Sequence, residues 1–535
     1  MKRLFIGALI LVLCIVTIIG CAKPAPAPKP TPTSAPASTP TPAPTPAPVT
    51  PKPQYGGVLK VISCKPIPDP VFGYPAASES LQITPLVACI DSLLLYDRMG
   101  RTLPNLATDW KFSPDFKSLT LTLRKGVKFH DGTDFNAQAV KYNLEARKGL
   151  KRSDMALVSS LDVIDENTVR INLTQYDNAL LGNLGTLPGL MVSPTAIEKN
   201  GIEWAKTNAV GTGPFRFVSY QKGASMKFER FGNYWQPGKP YLDAVEFSFP
   251  ADKTVAAISF QAGEGQVIDS ADVVEAAALK AKGYGTLTIG GRAVRGLCPD
   301  GANQGSIYAN KKVREAVEYA IDRKAIVDAC GLGFWEVSNQ PCAIGALGYI
   351  SNLEGRSYNP DKARQLLVEA GYAKGFKTKM LLNLQFTTGS QKDAMIAVQT
   401  YLKNVGIDAE MDIGDPARTA SYANGGWKDA LLWQLTSTKT PYIQTLRAFF
   451  PPVTFVSGYT PPGWVDLLKQ ALAATDFETQ KALNEKLVRM AHDEAMMVPI
   501  YGAQTIFVLD KSVHDTGFAE VDHIHWRPAD AWLSK

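Results

Sequence analysis

Histidine and cysteine are scarce in this chain of 535 residues, with five of the first and seven of the second. No Cys-x-x-Cys spacing occurs, so the sequence offers neither a dithiol redox pair nor a zinc knuckle. Also absent are a Gly-x-Ser-x-Gly elbow, a His-Glu-x-x-His helix, a phosphate loop and a dinucleotide fingerprint. Gly211-Thr212-Gly213-Pro214 has the glycines of a phosphate loop but not its lysine. These absences argue against an enzyme and against a resident cofactor. His523-x-His525 beside Asp522 sets two imidazoles at alternate positions, yet two neighbouring ligands do not close a metal site. The remaining histidines, His130, His492 and His514, add no neighbouring ligand at a metal-site spacing, so no metal is assigned.

Acidic residues are missing altogether from the first 54 positions. The formal net charge of +6 comes mostly from there: Lys2, Arg3, Lys23, Lys29 and Lys52 are unopposed. From Tyr55 onward 51 basic residues face 50 acidic ones, so the body is nearly neutral and a nucleic-acid partner has no compositional support.

Met1-Lys2-Arg3 is a short positive head, and Leu4 to Gly20 is almost wholly apolar. A run this short reads as an export signal at residues 1–20. Its end, Ile18-Ile19-Gly20-Cys21, resembles the lipobox of bacterial lipoproteins, in which the cysteine thiol receives a diacylglycerol and becomes the new N-terminus. The alternative is an uncleaved membrane anchor. No other stretch of the sequence is long and apolar enough to cross a bilayer. Residues 22–54 hold 13 prolines in 33 positions and no aromatic residue. Alternating prolines favour polyproline II at about 3.1 Å per residue, so the segment reads as a tether with a reach of roughly 100 Å. Export permits disulfides. With Cys14 in the signal and Cys21 lipidated, Cys64, Cys89, Cys298, Cys330 and Cys342 remain; their odd number leaves at least one unpaired, and Cys330 with Cys342 is the nearest pair that could staple a loop.

The body opens with a strand at Val58–Ile62. Period-two strands are predicted at Leu119–Arg124 and Thr168–Leu173, with a helix starting at Asn136 between them. A hairpin follows from Phe215–Tyr220 and Met226–Phe231. Lys311–Ala329 is amphipathic, and Asn359-Pro360-Asp361 caps a helix that stops at Gly371. A strand at Thr378–Phe386, a helix at Gln391–Asn404 and a strand at Ile407–Ile413 make a βαβ unit. Helices at Trp464–Ala473 and Phe477–Ala495 precede Val498-Pro499-Ile500-Tyr501. The pattern is α/β in two lobes.

Particular residues say more than periodicity. Leu95-Tyr96-Asp97, Pro104-Asn105-Leu106-Ala107, Trp110, Ser113-Pro114-Asp115 and the run Leu123-Arg124-Lys125-Gly126-Val127-Lys128-Phe129-His130-Asp131-Gly132 closely resemble the signature region of family 5 extracellular solute-binding proteins. These are the peptide, dipeptide and nickel receptors of ABC importers. Gly211-Thr212-Gly213-Pro214-Phe215, Asn233-Tyr234-Trp235, Val313-Arg314-Glu315-Ala316, Ala320-Ile321-Asp322-Arg323, Asn359-Pro360-Asp361-Lys362-Ala363 and Val498-Pro499-Ile500 continue the match in the family's order. The resemblance implies a two-lobe Venus-flytrap fold of the periplasmic-binding-protein kind. Residues 55–300 would form the first lobe with an accessory subdomain at 91–206, residues 301–499 the second lobe, and residues 500–535 a return to the first. It implies a lipid-anchored, monomeric, extracytoplasmic receptor that encloses a small organic solute or peptide and docks on permease subunits. A scaffold, adhesin or chaperone on the same fold is the competing reading.

In peptide binders of this family a tryptophan is followed closely by an aspartate that pairs with the peptide's α-ammonium. Here Trp433 continues Gln434-Leu435-Thr436-Ser437-Thr438-Lys439, without a carboxylate. An enclosed ammonium with no countercharge is costly, so ordinary free-amine peptides fit poorly unless Asp69 or Asp429 substitutes. The expected ligand contacts are Trp433, Gln434 and Thr436 with Trp427 nearby, Asp69, Phe72 and Tyr74 from the first-strand loop, and Trp335 from the second lobe. Each aromatic has a plainer reading as ordinary core, which is preferred for Trp110 and Trp235.

Overall fold

The computed structural model describes residues 52–65, 72–78, 84–97, 100–250, 252–384, 389–437, 456–518 and 526–535. The export signal, Cys21, most of the tether, Asp69 and the Asp522–His525 motif lie outside these residues.

One mixed sheet of eleven strands organises the body. Its path runs Ile407–Gly414, Phe376–Asn383, Ala430–Ser437, Gly285–Pro299, Val498–Leu509, Val267–Asp269, Val58–Ser63, Ala244–Ser248, Ser225–Arg230 and Phe215–Gln221. Glu336–Val337 pairs off this path with Val498–Leu509. The two long strands, Gly285–Pro299 and Val498–Leu509, pair with each other at the middle of the sheet, the first also with Ala430–Ser437 and the second also with Val267–Asp269. Their antiparallel ladder is regular from Gly285 to Ile289 and resumes at Ala293 opposite Ala503. Between these points Gly290, Gly291 and Arg292 oppose Gln504 alone, so the ladder is broken there.

The second lobe's βαβ unit forms as its pattern predicts. Phe376–Asn383 and Ile407–Gly414 pair in parallel, joined by the helix Gly389–Asn404. Its core continues without interruption from Phe260 and Ile268 through Val313, Val317 and Leu402 to Trp433. A separate cluster of Leu59, Val61, Phe215, Phe228, Phe247 and Phe507 fills the first lobe. A third cluster, with Leu119, Leu121, Val140, Leu144 and Ile171, lies under a four-stranded antiparallel sheet ordered Ala107–Phe112, Ser118–Leu123, Thr168–Leu173 and Val158–Asp165. We call this region the insert. Asn136 caps its main helix, Ala137–Gly149, by accepting from the Ala139 amide at 3.1 Å.

Three expectations need correction. The amphipathic stretch 311–329 is two helices, Lys311–Ala320 and Arg323–Gly331, because Ile321 is extended and Asp322 caps the second by accepting from the Ala325 amide. The break lets Arg323 reach the buried Glu318 at 3.3 Å and the Pro499 carbonyl at 2.6 Å. The last long helix stops at Asp493, since Ala495 is left-handed with φ 48°. Cys330 and Cys342 are not bridged: both are thiols, Cys342 in a cluster with Trp464 and Leu487, Cys330 packed against the second-lobe core.

Candidate ligand cleft

The insert is fastened to the first lobe by polar contacts that the family motifs supply. Asp91 is buried and accepts from Trp235 Nε1 at 2.9 Å and Thr212 Oγ1 at 3.1 Å. Burial raises its pKa to about 6, against the lowering effect of those hydrogen bonds. The Arg124 guanidinium lies 4.3 Å from the Trp235 ring centroid, which makes Trp235 architectural. His130 Nε2 hydrogen-bonds the Gly213 carbonyl at 2.9 Å, and burial lowers its pKa to about 4. The glycines of Gly211-Thr-Gly-Pro serve close approach: a Cβ on Gly211 would sit 2.1 Å from the Cys89 oxygen. Arg147 Nη1 donates to the carbonyls of Pro75, Ala76 and Ser78, holding the loop after the first strand.

That loop places Phe72 and Tyr74 in the first-lobe cluster, Phe72 against Phe217 and Tyr220 with centroids at 5.6 and 5.1 Å. Trp427 packs in another cluster with Cys298, Leu381 and Leu432. Asp429 accepts from the Ile307 amide at 3.2 Å. These groups therefore do not gather around Trp433. Gln434 pairs in the strand register with Gly296, and Thr436 with Val294.

What does gather is an aromatic row at the junction of the lobes. Trp335 stacks on Tyr501, centroids 4.0 Å apart and planes 8° apart, and Trp433 tilts against Tyr501 at 6.3 Å. The strand register explains the row. Trp433 stands opposite Leu297, and Arg295 stands opposite Tyr501, so all four share one face of the sheet. Tyr501 is completely buried, Trp433 is 4% exposed and Arg295 is 6% exposed. Burial pushes the Tyr501 hydroxyl pKa up and the Arg295 guanidinium pKa down. Among the described residues Trp433 Nε1 and the Tyr501 hydroxyl have no hydrogen-bond partner.

Tyr501 and Arg295 were not singled out from sequence. Tyr501 follows directly on the Val498-Pro499-Ile500 match, which pointed at its strand. Arg295 is one charge in an otherwise apolar run, Ala293–Cys298, and that was the available signal. Among the described residues no three His, Cys, Asp or Glu side chains are grouped to hold a metal. A polar groove of about 500 Å³ lies on the insert beside Asn136, Lys141 and Glu145, and none of the expected ligand contacts lines it.

A family model described as bacterial extracellular solute-binding proteins, family 5 Middle, matches residues 101–453, more than half of the chain. The glutathione-binding protein GsiB of Shigella dysenteriae is 30% identical over 439 residues, covering 78% of this chain and 85% of the relative. Among solved structures, the periplasmic binding protein DppA of Helicobacter pylori in complex with the peptide STSA is similar with a TM-score of 0.74. It is 22% identical, and the match covers 90% of this chain and 99% of that one. The binding protein AgaA of A. tumefaciens R10 in complex with agropinic acid gives a TM-score of 0.72 at 24% identity, with 90% and 99% covered. The two-lobed architecture is thus that of the periplasmic binding proteins, and the chain belongs to family 5 of the bacterial extracellular solute-binding proteins.

Proposed function

We propose that the chain is the capture component of an ABC importer. It takes a peptide-like or other organic solute between its lobes and passes it to the permease. A lipid on Cys21 and the proline-rich tether hold it to the membrane outside the cytoplasm. The observation that carries this reading is the aromatic row Trp335–Tyr501–Trp433 on the strands that join the lobes. Rigid aromatic walls offer contact area at low entropic cost, and ligand sites in two-lobed proteins lie at such junctions. Trp433 and Trp335 wall the cargo in this reading, and Gln434, Thr436 and Asp69 are its polar contacts. Phe72, Tyr74 and Trp427 act from beneath, by holding the loop and strand in place.

The glutathione-binding relative supports a peptide-like cargo. The absence of a carboxylate between Gln434 and Lys439 favours a cargo whose amine is blocked or paired elsewhere. Native mass spectrometry of the full chain, followed by denaturation, tests this by weighing what is released. A discrete mass of a modified peptide or another organic solute supports the reading. A mixture of free-amine peptides overturns the argument from the missing acid. A chain that carries nothing, and whose melting is unmoved by glutathione or a panel of solutes, sinks the receptor reading in favour of a scaffold.

A further inference from the structure

We infer that Trp433 Nε1, the Tyr501 hydroxyl and the Arg295 guanidinium form a subsite for a carboxylate of the cargo. The inference rests on the receptor reading and narrows its substrate class to acidic, peptide-like solutes. Buried donors are nearly always paired, and an unpaired one costs stability. Two unmet donors on touching rings, Trp433 Nε1 and Tyr501 Oη, are therefore a departure that a core would not retain without use. Trp433 Nε1 can only donate and the Tyr501 hydroxyl can donate, so a single partner that completes both is an acceptor.

Charge selects among acceptors. Arg295 stands opposite Tyr501 in the ladder and diagonal to Trp433, on the same face, so a buried positive charge accompanies the two donors. Tyr501 is an electrostatic neighbour of Arg295, and Tyr501 in turn senses Arg295 and the Cys330 thiol. A desolvated guanidinium beside two donors matches the planar two-oxygen geometry of a carboxylate better than that of a neutral carbonyl. The site sits beside the break in the ladder at Gly290–Arg292. The missing acid after Trp433 points the same way: Gln434 to Lys439 supplies no carboxylate to compete for the three donors.

The test uses the full chain and two probes, glutathione and its diethyl ester, measured by titration calorimetry. Wild type is expected to prefer the acid. Tyr501→Phe, which keeps the stack with Trp335, is expected to weaken glutathione by about 5- to 20-fold. Arg295→Gln is expected to abolish most of the preference for acid over ester. A wild-type chain that binds acid and ester alike, or variants that keep the wild-type ratio, overturn the subsite. The ligand-free melt gives an arm independent of cargo. Removing an unmet hydroxyl should raise the midpoint of Tyr501→Phe by about 1–3 °C, and a fall means the hydroxyl was satisfied and the subsite is wrong. If wild type binds neither probe, the peptide-like reading fails, and the melt then rules on the subsite alone.

Discussion

Asn178 of the insert donates through Nδ2 to the carbonyl of Ala471 in the second lobe at 2.7 Å. Its backbone amide also bonds Leu472 O at 3.0 Å, and Nδ2 reaches Ala474 O at 3.2 Å. The last carbonyls of the helix Trp464–Ala473 are thus capped from the other lobe, where a helix end needs partners. Tyr176, held edge-on by Phe112 and Phe116, adds its hydroxyl to Ala474 O. Asn178→Ala should speed hydrogen exchange at the residue 178 amide by about 5- to 10-fold while amides of the helix Ala137–Gly149 stay protected. Unchanged exchange at 178 would show that the contact does not hold the lobes together.

Asp91 makes a pH prediction with an unusual sign. Its folded pKa of about 6 lies above the ordinary 3.8, so the native state binds more protons between these values. Its contribution to stability is therefore full below about pH 4 and declines as pH rises toward 6. Asp91→Asn keeps an acceptor for Trp235 and removes the buried charge. It should gain on the order of 1–2 kcal/mol over wild type at pH 7 and nothing near pH 4, by denaturant melts at both.

His130 works in the opposite direction. The folded ring resists protonation until about pH 4, whereas the unfolded ring accepts a proton at 6.5. Its contribution is complete above 6.5 and is lost as pH falls from there to about 4, up to roughly 3 kcal/mol. His130→Gln can preserve a donor to Gly213 and removes the rise of stability with pH that His130 contributes, leaving the opposite slope of Asp91 unopposed. Because Asp91 and His130 oppose each other over the same interval, wild type should show a shallower slope than either variant. A steeper slope in wild type would contradict both assignments.

Arg147 is the fastening of the first-strand loop. Arg147→Lys keeps the charge but cannot address three carbonyls and Asp154 together. It should cost about 2–4 kcal/mol in urea unfolding, since the carbonyls and Asp154 lose their shared partner. A loss under 0.5 kcal/mol, roughly the level of a surface substitution, would mean the loop is held by Phe72 packing alone.

The thiols predict indifference to reductant. A reducing agent should leave the melting midpoint unchanged, since Cys64, Cys89, Cys298, Cys330 and Cys342 are not bridged. Cys64, whose pKa burial pushes up to about 12, should alkylate slowly at pH 8. A downward shift in midpoint on reduction would restore the Cys330–Cys342 staple.

The strands and helices legible in the sequence were those with strong local signals. Asn136 and Asn359 announced helix starts, and Ser118–Leu123 and Thr168–Leu173 alternated cleanly. The split at Ile321 was harder, because apolar spacing runs through it and the gain that accompanies the break, Arg323 reaching Glu318 and Pro499, is a tertiary one. Trp433 was legible through the family motif. Tyr501 and Arg295 were not, because what unites them is register between strands about 200 residues apart, which no local pattern encodes. Phe72 and Tyr74 were drawn into the first-lobe core by packing that a loop sequence does not advertise.

The shared ladder also governs how the molecule comes into being. Val498–Leu509 pairs with Val267–Asp269 and with Gly285–Pro299, so the centre of the sheet stays open until that late strand arrives. Such non-local pairing pays loop-closure entropy before contacts reward it, which makes folding slow and leaves two strand edges bare meanwhile. A chain that emerges from its first residue onward cannot complete either lobe on its own, and its nascent form is one that a holding chaperone would recognise by those edges.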